Sequence, residues 1–293
     1  MTENFLYLAE EGRRMEELFY ENEEGTFTAS YRKALSHHMP ANHFHGTYEI
    51  FYLMSGRREF FIQDRTLAAT EGDVIIIAPN ILHRTTNTEK PAYERLVVNI
   101  HENLMTAAHG ANRDVLQPLL GKEYAIVRGS LQERLAIDAL AQGMLQELRE
   151  KKPGFEMYAL TLVQQLLLLC CRQAAGQSRQ ETLESPSPMH ERISEVVRYI
   201  NDHYMHELSL QLLAEKFYIS PYYLSRFFKE ATGFTFVEYL NSVRVKEAKK
   251  LLEESAMKAN LIAKKVGFGS VTHFGRVFKQ VTGHAPLHFR KGK

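Results

Sequence analysis

An internal repeat in the last third of the chain limits the fold more than any other sequence feature. Four apolar residues of the first copy recur 49 residues later: Leu210, Leu213, Ala214 and Phe217 match Ala259, Ile262, Ala263 and Val266. The match continues at an offset of 50: Leu224, Arg226, Phe228, Lys229 and Gly233 correspond to Phe274, Arg276, Phe278, Lys279 and Gly283. Two copies of one supersecondary unit are therefore expected here.

Each copy is predicted to form two helices joined by a tight turn. In the first copy, Ser209 and Ser220-Pro221 are typical helix starts, since serine caps a helix and proline suits its first position. In the second copy, Gly267-Phe268-Gly269 predicts the turn and Ser270 the next cap. Apolar spacing from Phe236 to Leu252 predicts an amphipathic helix of about five turns between the copies.

The second helix of each unit carries a polar face opposite its apolar one. Two helix-turn-helix units joined by one helix can place these second helices in successive major grooves, roughly 34 Å apart. Arginine reads guanine through two hydrogen bonds, whereas lysine more often neutralises phosphate. The residues predicted to contact DNA are Tyr222, Ser225, Arg226 and Lys229 in the first copy, and Thr272, His273, Arg276 and Lys279 in the second.

The charge of the chain is unevenly divided. Its 36 basic and 35 acidic residues leave a net charge of +1. A polar stretch at 174–188 that contains two prolines predicts an exposed linker. Up to the end of this stretch, residues 1–188 carry 19 basic and 25 acidic side chains. Residues 189–293 carry 17 basic and 10 acidic ones. We therefore expect only the C-terminal part to bind an anionic polymer.

Composition narrows the class of protein further. With 44% hydrophobic and 24% charged residues, the chain has the make-up of an ordinary folded protein. Its longest apolar run, Leu166 to Cys171, is far shorter than the ~20 residues of a membrane span, and the first 20 residues do not resemble a signal peptide. The only cysteines, Cys170 and Cys171, are adjacent, which favours a reducing, cytoplasmic compartment.

Short β-rich runs between Thr26 and Ile100 predict a sandwich or barrel. The predicted strands are 48–54, 58–63, 74–78 and 94–100, with turns at Ser55-Gly56 and Glu71-Gly72-Asp73.

A helical hairpin is predicted after the β-rich region. Leu131 to Glu150 carries apolar residues at near-helical spacing, and Phe155 to Cys171 forms a second helix that is apolar on most faces. Such a helix is buried either against the barrel or in a dimer contact, and the sequence leaves both open.

The C-terminal third resembles the AraC/XylS family of transcriptional regulators. The resemblance covers about 100 residues and rests on Val266 to Ser270, Phe274, Arg276, Phe278-Lys279, Gly283, Ala285-Pro286 and Phe289-Arg290. It implies sequence-specific binding to promoter DNA, usually activation of transcription, and contact with RNA polymerase. The chain departs from the family at Ala285, where threonine is common, and at Leu212 and Leu261, where an acidic residue is usual.

The N-terminal half resembles the cupin superfamily of small jelly-roll barrels. His43-x-His45-x3-Glu49-x6-Gly56 fits its first motif, and Gly72 to Asn87 fits the spacing of the second, with Ala78 and Asn80 replacing the usual proline and glycine. Together with the resemblance to AraC/XylS regulators, this implies that the barrel binds an effector; such barrels often dimerise as well.

Four side chains of these motifs are candidate ligands. His43, His45 and Glu49 have the same parity, so on an extended strand they point together into the barrel, where His83 can join them. We favour a metal-free pocket in which they bind a small polar effector, with sugars as a common class. The alternative is a metal-dependent cupin enzyme, an oxygenase or isomerase, that holds Fe, Mn, Ni or Zn and carries an appended DNA-binding domain.

The sequence thus predicts a multidomain α+β protein: an N-terminal cupin-type jelly-roll β-barrel with a helical hairpin, and a C-terminal all-α double helix-turn-helix. The predicted parts are an effector-binding barrel at 1–130, the hairpin at 131–173, the linker at 174–188, and a DNA-binding domain at 189–293 with units at about 209–232 and 258–282. We expect a non-enzymatic homodimeric activator in the cytoplasm, controlled by a small molecule and requiring no cofactor.

Overall fold

The structure is a computed structural model that describes residues 16–35, 45–86, 92–106, 115–176 and 187–290. These ranges contain eight strands: β1 (Glu16–Glu21), β2 (Phe27–Ala34), β3 (Tyr48–Ile62), β4 (Arg65–Thr70), β5 (Val74–Ile77), β6 (His83–Thr86), β7 (Tyr93–Ile100) and β8 (Tyr124–Val127). They also contain ten α-helices: α1 (Glu102–Thr106), α2 (Gln117–Leu120), α3 (Leu131–Glu150), α4 (Phe155–Gly176), α5 (Pro188–His203), α6 (Leu210–Lys216), α7 (Pro221–Thr232), α8 (Phe236–Glu254), α9 (Ala259–Lys265) and α10 (Val271–Thr282).

The strands form the predicted antiparallel barrel of cupin type. Along the main path the order is β1-β2-β7-β3-β5-β8, and both β4 and β6 pair with β3. Strand β3 belongs to both layers, because its first part pairs with β5 and β7 and its last part pairs with β4 and β6. Strands β1 and β8 lie outside the stretch from Thr26 to Ile100, where the sequence predicted the strands.

The predicted turn at Ser55-Gly56 is wrong, because β3 continues through it. The register of β3 against β7 shifts between Leu53 and Ser55, which is a β-bulge. Gly56 has φ +94°, and a Cβ there would lie 2.5 Å from the backbone oxygen of Ala92. Glycine is therefore required for the bulge, which carries β3 from one layer of the barrel to the other.

Helices α3 and α4 cover the outer face of one barrel layer. Leu162, Leu166 and Cys170 of α4 are buried in the same apolar cluster as strand residues such as Ile50 and Val98. Helix α3 and the barrel together therefore bury these apolar residues of α4. Burial also raises the pKa of the Cys170 thiol to about 12, so this cysteine stays protonated.

The apolar stripe predicted for α3, which comprises Leu131, Leu135, Leu140, Met144, Leu145 and Leu148, is partly wrong. Met144, Leu145 and Leu148 are buried, as are Ile137 and Ala141, which lie outside the predicted stripe. Leu131 and Leu135, in contrast, are 67% and 62% exposed. Helix α3 begins at Ser130, whose hydroxyl accepts a hydrogen bond from the backbone of Glu133, and this start turns Leu131 and Leu135 outward. No helix in the described ranges is long and apolar enough to cross a membrane.

The C-terminal part contains the two predicted helix-turn-helix units. Ser209, Ser220 and Ser270 cap α6, α7 and α10, because each hydroxyl accepts a backbone N–H from the first turn of its helix. Lys258, which precedes helix α9, provides no side-chain cap. Helix α5 was not predicted, since it has no counterpart in the repeat; it buries apolar residues against the first unit.

The second unit is fastened to the end of α5. Arg244 of α8 donates hydrogen bonds of 2.9 Å to the backbone oxygens of Tyr204 and His206. Gly267, in the turn of the second unit, has φ +90°, and a Cβ there would lie 2.7 Å from the Tyr204 oxygen. These contacts fix the two units relative to each other.

The DNA-binding part covers the outer face of the other barrel layer. Phe61 of β3 and Leu82, just before β6, belong to the same apolar cluster as Val197, Phe228 and Tyr239 of the helical part. Phe61 points outward because the side chains of β3 alternate, and its neighbours Phe60 and Ile62 line the lumen. The barrel and the DNA-binding part therefore share a core.

Candidate DNA-binding and effector sites

Helices α7 and α10 present matching polar faces to the outside. Leu224 and Phe228 of α7, and Phe274 and Phe278 of α10, are buried, while Phe227 is only half-buried. All eight residues predicted to contact DNA are exposed: Tyr222, Ser225, Arg226, Lys229, Thr272, His273, Arg276 and Lys279. The shared core with the barrel therefore leaves both faces open.

One acidic residue joins the face of α7. Tyr222, Ser225, Arg226 and Lys229 line an open groove together with Glu230. A carboxylate can accept a hydrogen bond from the amino group of cytosine, so Glu230 adds a discriminating group to a basic surface. Glu230 was not among the residues predicted to contact DNA, although it directly follows Lys229 in the sequence.

The second unit carries basic residues beyond Arg276 and Lys279, which were predicted to contact DNA. Lys264 and Lys265 in the last turn of α9 are both exposed, as is Lys258 before that helix. Lysine near a helix C-terminus is favourably placed by the helix dipole, and here it also adds to the charge beside α10. These lysines add three exposed positive charges to the second unit.

Inside the barrel, Glu49 lies between two histidines. Its Oε2 is 3.1 Å from Nε2 of His45 and 3.4 Å from Nε2 of His83. Burial by itself raises the pKa of the Glu49 carboxyl, but the two histidines, His83 foremost, outweigh burial and hold that pKa well below its usual range. Burial opposes protonation of His83, and Glu49 more than offsets it, so the pKa of His83 is raised.

Three different elements position these side chains. Glu49 lies on β3 and His83 starts β6, but His45 lies in the bend before β3, so the parity argument does not apply to it. The bend is held by the backbone N–H of Asn80, which donates a 2.8 Å hydrogen bond to the His45 oxygen. His43, the fourth predicted ligand, lies outside the described residues.

The three side chains form the only group of metal-type ligands found in the described ranges. The donor atoms of His45, Glu49 and His83 all lie within 4.8 Å of one another. Two imidazole nitrogens and one carboxylate oxygen suit a transition metal, and the same atoms can bind the hydroxyl groups of an organic ligand. The geometry is compatible with either use.

The residues around this cluster touch the DNA-binding part. Leu82 and Arg84 flank His83 and point outward; the Cζ atom of Arg84 lies 5.4 Å from the ring centroid of Phe234. Asn80 accepts a 3.1 Å hydrogen bond from Nζ of Lys249 in α8. One short segment, 80–84, therefore touches both the lumen cluster and the DNA-binding helices.

Comparison with known proteins agrees with this architecture. Residues 24–167 match the AraC-like ligand binding domain, and residues 213–292 match a helix-turn-helix domain. The chain belongs to the AraC/XylS family. As a member of this family it is a transcriptional regulator that binds double-stranded DNA, and not an enzyme.

Two transcriptional regulators are similar over most of the chain, and one solved domain is similar over about a third of it. The HTH-type transcriptional regulator YisR of Bacillus subtilis is 27% identical over 249 residues, which cover 83% of this chain and 85% of that protein. The HTH-type transcriptional activator RhaS of Escherichia coli is 26% identical over 254 residues, or 86% and 87% of the two chains. The C-terminal domain of AraT, a response regulator from Geobacillus stearothermophilus, is 30% identical; 36% of this chain matches 87% of that structure, with a TM-score of 0.34.

Proposed function

We propose that a small-molecule effector binds in the barrel lumen at His45, Glu49 and His83 and thereby controls DNA binding. The observation that carries this proposal is the Glu49 carboxyl group, buried between two imidazoles at 3.1 Å and 3.4 Å. A buried charge held by hydrogen-bonding partners is costly to place and typical of functional sites. Sugars remain the expected class from the family resemblance.

The effector signal has a direct structural route. A ligand that moves His83 also moves Leu82 and Arg84, because all three lie on one short segment that packs against the DNA-binding helices. Asn80 links the His45 backbone to Lys249 in the same way. The effector must bind one arrangement of this interface more tightly than the other, since equal affinity for both would change nothing.

A bound metal is the second candidate for the same cluster. His45, Glu49 and His83 would hold it, and the metal would supply a Lewis-acidic contact for a polar ligand. The chain's own residues keep the same tasks in that case, since they orient the ligand and exclude bulk water. The metal-free pocket is favoured because both imidazoles already lie against Glu49.

We also propose that the protein acts as a homodimer and activates transcription in the cytoplasm, through contact with RNA polymerase. Leu131 and Leu135 lie one helical turn apart on α3 and are strongly exposed. A second copy would bury this pair. Sedimentation of the Leu135→Glu variant tests the surface: we expect monomers, with the Met157→Glu variant, at the opposite end of the hairpin, remaining a dimer.

The effector site is tested by thermal shift of the full-length protein against sugars, organic acids and divalent metals. A true ligand raises the midpoint by mass action and also changes affinity for DNA. We expect both effects to be lost in Glu49→Gln and kept in Glu24→Gln, which changes an exposed glutamate in the β1–β2 turn. Ligands that act equally on Glu49→Gln would place the site elsewhere.

A further inference from the structure

Arginine side chains meet inside the barrel. Arg32 of β2 and Arg95 of β7 lie directly opposite each other in the strand register. Directly opposed residues share one face of a sheet, and the next residues on that face, Ala34 and Val97, belong to the apolar cluster that lines the lumen. Both guanidinium groups therefore point into the lumen.

A third arginine joins them from β3. Arg58 is only 2% exposed and lies on the same face as Phe60 and Ile62, which line the lumen. Its Cζ atom is 3.5 Å from the ring centroid of Tyr93, and Arg95 interacts with the same tyrosine. We call Arg32, Arg58 and Arg95 the arginine cluster.

By themselves, three positive charges placed together inside the barrel destabilise the folded protein. Burial lowers the pKa of both Arg58 and Arg95, and the charge of a neighbouring arginine adds to the effect in each case. Glu17 offsets part of this charge through an ion pair of 3.3 Å with Arg32. Apolar side chains line the rest of the lumen, so packing alone does not require three guanidinium groups there.

Guanidinium groups bind carboxylate and phosphate oxygens through two parallel hydrogen bonds, a geometry that neutral sugars do not match. Arg95 and Glu49 lie on the neighbouring strands β7 and β3, where Arg95 is opposite Leu53 and Glu49 is opposite Asn99, and their charges act on each other. Glu49 repels a second anionic group at its own end of the lumen and favours hydroxyl groups there. One ligand can therefore present an anionic end to the arginines and a hydroxyl end to Glu49.

We propose that the arginine cluster binds the carboxylate or phosphate group of a small hydroxylated effector. This inference rests on the proposed effector site and changes the expected class from a neutral sugar to a sugar acid or sugar phosphate. Arg95 would be the central contact, because it lies opposite Arg32, shares Tyr93 with Arg58 and interacts with Glu49.

The test measures binding of inorganic phosphate, D-gluconate, glucose 6-phosphate and D-glucose to the full-length protein at constant ionic strength, by calorimetry and thermal shift. We expect the anions to bind and glucose to bind weakly. In Arg95→Gln the dissociation constant of the anions should rise about tenfold or more. In Arg57→Gln, which changes an exposed residue on the same part of β3, it should stay within about twofold. Comparing gluconate with glucose 6-phosphate distinguishes a carboxylate effector from a phosphate one.

Equal anion binding by wild type and Arg95→Gln, including no binding by either, would overturn the inference. The unliganded midpoint of Arg95→Gln and of Arg95→Lys reports whether each variant folds, and Arg95→Lys should retain partial binding because it keeps the charge. Loss of binding in Glu49→Gln but not in Arg95→Gln would reject the arginine cluster alone. Binding that is unchanged in both would reject the proposed effector site as well.

Discussion

The Oγ1 hydroxyl of Thr66 in β4 donates a 2.9 Å hydrogen bond to the backbone oxygen of Ala231 in α7, within the interface between barrel and DNA-binding domain. Nearby, the Tyr239 hydroxyl donates to the backbone oxygen of Gln63 at 3.0 Å. Asp64, in the same β3–β4 turn, pairs with Arg198 of α5 at 3.3 Å. The first helix-turn-helix unit is thus held by the barrel itself, and not only by the linker.

Thr66→Val should weaken this interface while keeping its shape. The Ala231 carbonyl loses a buried donor, so we expect the free energy of unfolding to fall by about 1–3 kcal/mol. Urea denaturation measures the change. Thr161→Val is the matched control, because the Thr161 hydroxyl bonds within its own exposed helix turn; its effect should stay near 0.5 kcal/mol. Equal effects of the two variants would contradict the role of Thr66.

Gly267→Ala should disrupt the joint between the two DNA-binding units. The alanine Cβ would lie 2.7 Å and 2.9 Å from the backbone oxygens of Tyr204 and Met205, at a φ of +90°. We expect the free energy of unfolding to fall by about 1–3 kcal/mol. Binding to DNA that carries a site for each helix-turn-helix unit should also weaken. Gly269→Ala, two residues later in open space, should leave both nearly unchanged. Thermal unfolding and fluorescence anisotropy provide the two readouts.

Arg226→Ala and Arg276→Ala should each lower affinity for the selected operator by about 1–3 kcal/mol and relax base preference at one position. The operator is first selected from a random duplex library with the wild-type protein. Arg172→Ala removes an exposed arginine of α4 and serves as the control. Unchanged affinity and base preference in the two helix variants would exclude base reading by these arginines.

Lys229→Ala and Lys279→Ala should act through phosphate. Each removes an exposed positive charge at a matching place on α7 or α10. We expect the slope of log affinity against log salt to fall by about one for each lysine, with base preference retained. A series of binding curves from about 50 to 300 mM salt measures the slope. A slope identical to wild type would argue against phosphate contact.

The metal content of the purified protein distinguishes the two uses of His45, Glu49 and His83, which are a metal-free effector pocket and a metal site. We expect purified full-length protein to hold well under one equivalent of Fe, Mn, Ni or Zn, and to respond to effector after treatment with a chelator. Elemental analysis of wild type and His45→Ala measures this. Stoichiometric metal in the wild type that disappears in His45→Ala would instead support the metal site.

Local signals in the sequence predicted much of the DNA-binding domain. Ser209, Ser220 and Ser270 cap helices in the structure, because a cap depends only on the residues of one helical turn. The same locality explains the prediction of α3 over Leu131 to Glu150. Helix α5 was missed because its apolar face has no repeat partner and is explained only by the cores it fills.

The candidate effector site was harder to predict. The motif spacing selected His45, Glu49 and His83, and the structure brings these three together. The reason differs from the prediction, since His45 reaches Glu49 from a bend held by Asn80 and not from a shared strand. The arginine cluster left no motif, because Arg32, Arg58 and Arg95 are far apart in sequence and meet only through strand pairing.

The sequence by itself determined the two-part division of the molecule, the helix-turn-helix repeat and the residues exposed on α7 and α10, because each depends on short-range periodicity and capping. Only the tertiary structure showed that Phe61 and Thr66 of the barrel pack against α7 and α8. It alone placed Arg95 on the lumen face of β7, opposite Arg32. Both relations join residues distant along the chain, and they depend on strand register and on the bulge between Leu53 and Ser55, which turns β3 between the two layers.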